Sequence, residues 1–367
     1  MMRKFSALYP AILMISTSSI RRICLVTFAF ISLLLGCGET DNVTQDNTTG
    51  MPDEAVYVVN SGSNSVSVIN AQTHTVSNVI TLANFAWPYH INLSPDGKSL
   101  VIGVPGTDVS GGHSGGFGGG HGGAMKGSLI VLDMQTGTVK ASKSLSAMNH
   151  NGVFSPDGKE IWTALATEPA KVQIYDMGLA TLMKEIPVGN QPTEVTFSKE
   201  GQYAFVTNSG SGTVTVIDVS TKTVKTTIPV GETPVGAWMG VDGRMYVNNE
   251  QSQTVSVIDP SSLAVVQTIP LGFMPGSVAT PPALDEFWVS DPDGAKVHYY
   301  RQSDGSHLGV FNVGAGAHAI AFNASGTTGY VTNQLANTVS VMDVMAHTVT
   351  KTIKVGIKPS GLVWRMK

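Results

Sequence analysis

Charge, cysteine and helical periodicity are all scarce in this chain. Charged residues make up 13% of its 367 positions, against roughly 25% in an average soluble protein. Lysine and arginine number 22 and aspartate and glutamate 26, so the positive excess that nucleic acid selects is missing and no nucleic-acid partner is expected. Only two cysteines occur, Cys24 and Cys37, both near the N-terminus. The remainder of the chain therefore has no disulfide framework, no thiolate metal cage and no covalent c-type haem attachment. Nothing repeats apolar residues at helical spacing over 11 residues, which argues against helical architectures. What is abundant is glycine, 40 residues of 367, with 42% hydrophobic residues. That apolar content supports a large core and excludes wholesale disorder. Plentiful Val, Thr and Ser alongside the glycine point to β-structure.

The N-terminus reads as an address. Arg21-Arg22 precede an uncharged, mostly apolar run from Ile23 to Leu35, followed by Gly36-Cys37. A basic start, a short apolar run and a small residue before a cleavage point describe a secretory signal. The run is too short for a membrane-spanning helix of about 20 residues. Leu34-Leu35-Gly36-Cys37 resembles the lipobox of bacterial lipoproteins, which implies a signal peptide over residues 1–36 and lipidation at Cys37. Removal of Arg3, Lys4, Arg21 and Arg22 with no acid changes the net charge from −4 to −4 − 4 = −8. Such a chain has no attraction for an anionic leaflet, so lipid must supply the attachment. Gly38 is not the Asp of inner-membrane retention, which favours the periplasmic side of the outer membrane, or the cell surface. Residues 37–54, rich in Asn, Thr and Asp, read as a flexible tether.

Repeats dominate the rest. Tyr57-Val58-Val59-Asn60 is followed by Ser65-Val66-Ser67-Val68-Ile69-Asn70. The same phrase returns at Phe205–Asn208 with Thr213–Asp218, at Tyr246–Asn249 with Thr254–Asp259, and at Tyr330–Asn333 with Thr338–Asp343. Degenerate copies are read at Leu100–Gly103, Ile161–Ala164 and Phe287–Ser290. Copies starting near 55, 98, 159, 202, 244, 285 and 327 are spaced by 43, 61, 43, 42, 41 and 42 residues. Each copy holds four short β-runs, with Pro-Asp-Gly turns at Pro95–Gly97 and Pro156–Gly158. Four strands every ~42 residues describe a propeller blade, and seven copies describe seven blades. The chain enters at Ala55 on a second strand and leaves at Gly361–Trp364 on a first strand. The expected fold is therefore an all-β, seven-bladed β-propeller over residues 55–367, four antiparallel strands per blade. Pairing of the N- and C-terminal strands in one blade closes the ring.

These phrases are similar to those of the YVTN-type seven-bladed propellers, and the resemblance covers residues 55–367. It implies kinship with surface-layer proteins, periplasmic proteins of unknown role and the haem d1-binding propellers of denitrifiers. It implies the fold firmly and an activity weakly, since one fold hosts many functions.

Topology sorts the nine histidines. His74, His307 and His347 fall in third-to-fourth turns at the bottom rim, and His298 in a third strand. His90, His150 and His318 fall where the chain enters an inner strand, at the top of the central channel. His150 and His318 lie eight residues before Gly158 and Gly326, but His90 lies seven before Gly97. Tyr89 thus takes the equivalent place, and His90 is expected to point elsewhere. Between 103 and 127 an insertion of about 18 residues beyond the repeat carries His113, His121 and Met125 in a glycine tract. Gly this dense reads as a mobile, low-complexity loop emerging on the top face. The sharper alternative is a metal-binding lid, because His-rich tracts bind metals and thioether with imidazole suits copper. The metal candidates are then His113, His121, His150, His318 and Met125; the haem or copper candidates are His150, His318 and His90. For His150 and His318 an ordinary family-typical role stands beside that of a ligand. Asp133, Asp176, Asp218, Asp259 and Asp343 end third strands, and such recurrence argues for turn capping rather than catalysis.

No paired carboxylates and no nucleophile–base set stand out, and matches to G-x-S-x-G and G-x-G-x-x-G lie in the glycine tract without their structural context. The sequence therefore favours a non-enzymatic, lipid-anchored scaffold binding a protein or small ligand on its top face. The alternative is a redox propeller using copper or haem. Lactonase-like hydrolysis is weaker, because no acidic metal cluster is apparent.

Overall fold

Every copy folds into one four-stranded antiparallel sheet, and seven such sheets form the ring. The structure, a computed structural model, describes residues 51–110 and 126–366. The ring lies wholly within residues 43–367. Blade 1 takes its inner strand, Pro359–Met366, from the C-terminus and its second strand, Glu54–Asn60, from the N-terminal side. Their antiparallel register runs from Glu54 opposite Met366 to Asn60 opposite Pro359. The expected closure is thus present, and it pairs the inner edge that Glu54–Asn60 would otherwise leave open.

The core lies between blades rather than within them. Strand alternation sends one set of side chains toward each neighbour. Tyr57 and Val59 of blade 1 pack with Leu100 and Ile102 of blade 2, and Phe205 of blade 4 with Ala237 and Val247 of blade 5. Five outer strands each bury one isoleucine, Ile80, Ile186, Ile228, Ile269 and Ile353, and those of blades 2 and 6 bury no residue.

The repeated asparagine has a structural task. Asn208 Nδ2 donates to the hydroxyls of Thr213 and Thr215 at 3.1 and 2.9 Å. Asn60, Asn249 and Asn333 grip the matching pairs Ser65/Ser67, Thr254/Ser256 and Thr338/Ser340. In blades 1 and 7 the asparagine Oδ1 also accepts a backbone N–H, from Gly356 and Gly314. A buried amide thus clamps the second hairpin of blades 1, 4, 5 and 7.

The other three blades lack this clamp, and there the sequence alignment slips by one. The residues opposite the start of the third strand are Val104, Leu165 and Asp291, paired with Ser128, Lys171 and Lys296. The true counterparts of the motif therefore begin one residue later than Leu100, Ile161 and Phe287. Without the asparagine, a run of apolar β-formers carries no mark of register, and a one-residue shift exchanges its two faces.

Side-chain hydrogen bonds to backbone carbonyls cross all seven blade junctions near the top of the channel. Ser360 Oγ donates to Tyr89 O at 2.8 Å, Asn92 to Gly152 O at 3.0 Å and Asn151 to Val195 O at 3.0 Å. Thr207 donates to Val235 O, Asn248 to Gly276 O, Ser290 to His318 O and Thr332 to Ser360 O. Polar groups buried in the narrow centre are in this way satisfied between neighbours.

On the bottom rim, His74, Lys222 and His347 share left-handed backbone positions, with φ of 53°, 55° and 50°. His347 Nε2 lies 2.9 Å from Glu286 of the preceding blade, and Lys222 pairs with Glu160 in the same way. Each glutamate also accepts the indole N–H of the tryptophan two residues on, Trp288 or Trp162. The strand-end carboxylates of Asp133, Asp218 and Asp259 accept backbone N–H groups of the adjoining turns, as expected for caps.

Candidate functional site

An irregularity in the inner strands builds the site. Where the inner strands of blades 1, 2, 4, 5, 6 and 7 begin, two residues oppose one residue of the second strand. In blade 4, Thr193 and Glu194 fall in the register shift between Pro192 and Val195; in blade 7, His318 and Ala319 fall between Ala317 and Ile320. In blade 2, the Tyr89 N–H donates to Gly103 O and the Gly103 N–H to His90 O, both at 2.9 Å. Such bulges re-aim side chains, so two neighbouring residues can face the same space. Tyr89 and His90 therefore both reach the channel mouth. The expectation that His90 points elsewhere fails, because it assumed an unbroken alternation.

Two glycines bring the backbones close enough for these side chains to meet. A Cβ on Gly103 would stand 2.7 Å from Asn151 Cα and from His150 O, pressing blade 2 against blade 3. A Cβ on Gly361 would stand 2.8 Å from Tyr89 O and 2.9 Å from His90 Cα. Both obstacles are backbone, which cannot swing aside as a flexible side chain can. Asn151 completes the assembly: its amide exchanges two hydrogen bonds with the backbone of Val195, which holds His150 next to Glu194.

The result is a buried carboxylate held by two imidazoles. His90 Nδ1 lies 2.7 Å and His150 Nδ1 3.0 Å from the same atom, Glu194 Oε1. Glu194 is 3% exposed and His150 2%, whereas the His90 side chain keeps 14%. Tyr89, also buried, stacks on His90 at 4.6 Å between ring centres, and its hydroxyl is hydrogen-bonded to His318 Nε2 at 2.9 Å. Burial alone would raise the Glu194 carboxyl. The His90 charge and the hydrogen bonds from His150 and His90 outweigh it and hold the group below the usual carboxylate range. Burial pushes the Tyr89 hydroxyl up, with Glu250, Glu194 and Asp108 acting in the same sense. Below the cluster a cavity of about 350 Å³ continues down the channel. His90 and Glu194 line its upper end, and Trp238, Val241 and Phe322 its lower part.

The structure thus unites three of the expected residues, His90, His150 and His318. His113, His121 and Met125 lie outside the described residues, as does Cys37. Histidine spacing alone does not reveal Glu194, the fourth member of the cluster. Its signal was available: it stands seven residues before Gly201, as His90 stands seven before Gly97. Away from the cluster, His298 stacks on Phe273 at 4.2 Å and sits 3.3 Å from His307 across one hairpin of blade 6.

No family model matches the chain, and no curated protein is similar to it in sequence. Solved structures resemble it in fold. The periplasmic gluconolactonase PpgL of Pseudomonas aeruginosa superposes with a TM-score of 0.68 at 18% identity, over 86% of this chain and 99% of that one. The dihydro-haem d1 dehydrogenase NirN, solved in complex with DHE, gives 0.62 at 13%, over 87% and 77%. Hydrazine synthase of Kuenenia stuttgartiensis gives 0.61 at 19%, over 76% and 90%. At these identities the likeness concerns the fold alone.

Proposed function

We propose that this protein is a lipid-anchored propeller of the cell envelope that binds a small ligand at the top of its channel. The observation that carries this reading is the Glu194 carboxylate, buried with His90 and His150 at the head of a cavity. Burying a charge and its partners is expensive where only packing is required. Polar groups converging on a cavity are the usual mark of a binding site. The signal run ending in Gly36-Cys37 supports the envelope location and attachment through lipid on Cys37. The gluconolactonase and the dihydro-haem d1 dehydrogenase among the structural neighbours support small-molecule binding on such a ring.

The redox alternative divides in two. Haem is disfavoured, because an axial imidazole needs an open face. The rings of Tyr89, His90 and His150 stand only 4.6–4.8 Å apart. A bare metal ion suits the cluster better.

Ligand screening by thermal shift, over sugar lactones, sugar acids and other small anions, tests the proposal. The comparison is with Ala319→Trp, which fills the channel on the side away from Glu194. A compound that stabilises the wild type but not Ala319→Trp is the expected result. Hits that stabilise both equally place binding elsewhere and end this reading. Cys37→Ser should move the protein from the membrane to the soluble fraction; retention after a high-salt wash would refute the anchor.

A further inference from the structure

We infer that His90, His150 and Glu194 form a site for one divalent first-row transition-metal ion, of the zinc or ferrous class, with coordination positions left open toward the channel. The inference rests on the channel mouth being the binding centre and adds what holds the ligand there.

Geometry carries it. Each residue offers one donor atom, and the three donors lie within 4.8 Å of one another. Both imidazole Nδ1 atoms sit on one carboxylate oxygen, at 2.7 and 3.0 Å. Adjacent donors around an ion that holds each at about 2.0–2.2 Å are themselves separated by about 3 Å. The protein therefore already spaces Glu194 Oε1 and each imidazole nitrogen as neighbouring corners of a coordination shell. They come from three successive blades and are fixed by bulges, by Gly103 and by the Asn151 bridge, so little ordering is left for the ion to impose.

A purely structural ion pair explains the cluster less well. One imidazole would suffice to neutralise one carboxylate, yet two address the same oxygen. The His90 Nε2 atom is buried and finds no hydrogen-bond partner among the described residues. Closed structural networks satisfy their polar atoms. Two nitrogens and one carboxylate oxygen are the donor set of hydrolytic zinc sites and of ferrous facial triads, both of which keep positions open for a ligand. Without a sulfur donor among the three, the set does not favour Cu(I). The open side faces the cavity, whose upper end His90 and Glu194 line. Beside it the Tyr89 hydroxyl and His318 form a hydrogen-bonded pair placed to contact whatever the ion holds.

The test uses the full-length protein, stripped with chelator and titrated with Zn²⁺ and with Co²⁺ as a coloured probe. Calorimetry should give one ion per chain, and bound Co²⁺ should show visible bands of a nitrogen–oxygen shell. Glu194→Gln and His150→Ala should each weaken Zn²⁺ binding at least ~100-fold. His90→Ala, at the more exposed donor, gives a second measure should a buried substitution fail to fold. His307→Ala, remote from the cluster, should leave affinity unchanged. So should Ala319→Trp, which separates this inference from the ligand site itself. Absence of stoichiometric binding in the wild type overturns the metal site, as does binding undiminished in both Glu194→Gln and His90→Ala. A ligand that still distinguishes wild type from Ala319→Trp would then show the channel mouth to be a metal-free site.

Discussion

The ring contains two kinds of blade. Blades 1, 4, 5 and 7 carry the asparagine clamp, and their inner strands run for 8, 6, 6 and 6 residues. Blades 2, 3 and 6 lack it, and their inner strands shrink to 3, 2 and 2 residues. The same two unclamped neighbours, blades 2 and 3, supply Tyr89, His90 and His150, and blade 2 carries the long insertion. The clamped blades keep the shared geometry, while departures from it gather where chemistry is concentrated. Glu194 joins the two kinds: it sits on a clamped blade but meets the imidazoles of the unclamped pair.

The largest expected effect removes a clamped blade's inner strand. Deleting residues 359–366 leaves Glu54–Asn60 with an open edge and should abolish soluble, cooperatively folding protein. A truncated chain with an unchanged melting temperature would show that closure in blade 1 is dispensable.

Gly103→Ala strikes the junction of the unclamped pair. Its Cβ meets backbone on blade 3, so a loss of about 1–3 kcal/mol in denaturant titration is expected, together with loss of metal or ligand binding. A neutral effect would mean that the two blades can part without cost.

The clamp itself is tested by Asn333→Ala, which removes two donated hydrogen bonds and one accepted from Gly314. About 1–3 kcal/mol should be lost, because buried groups are left unpaired. The converse, Leu165→Asn, should destabilise rather than repair blade 3. Leu165 is fully buried there, and the facing strand offers Lys171 and Gln173 instead of two hydroxyls.

Acid distinguishes the blade that joins the two kinds. The folded Glu194 carboxyl titrates below its unfolded value of 4.5. Its ionisation therefore stabilises the fold above that pH, and the stabilisation is lost as pH falls through the lower folded value. Glu194→Gln should flatten the acid limb of the stability profile; parallel profiles would contradict the pairing. The smallest effect is expected at Arg301→Ala, whose contact with Asp304 at 3.3 Å is exposed on both sides. It should change stability by no more than about 0.5 kcal/mol.

The architecture was legible because it is repeated. Asn60, Asn208, Asn249 and Asn333 recur with two hydroxyl residues at fixed distance, and that regularity specifies strand order, blade number and closure. The slip at Leu100, Ile161 and Phe287 marks where the repeated asparagine is gone. At the site, His150 and His318 were legible from their spacing. The direction of His90 was not, since a bulge changes which way consecutive residues point and leaves no mark in composition. Glu194 looked like one acid in a β-run until the ring brought blade 4 beside blade 3.

Strand Glu54–Asn60 is the point at which the rest of the chain's N-terminal side takes hold of the ring. It is flanked on both sides, six of its residues pairing with Ser65–Asn70 and six with Pro359–Met366. A pull delivered through that side reaches two ladders at once, so the load is shared along their length. Had the chain entered on an outer strand, the same force would have peeled a single ladder from its end. For a body held by the lipid proposed on Cys37, the choice of entry strand thus sets its mechanical strength as much as its thermal one.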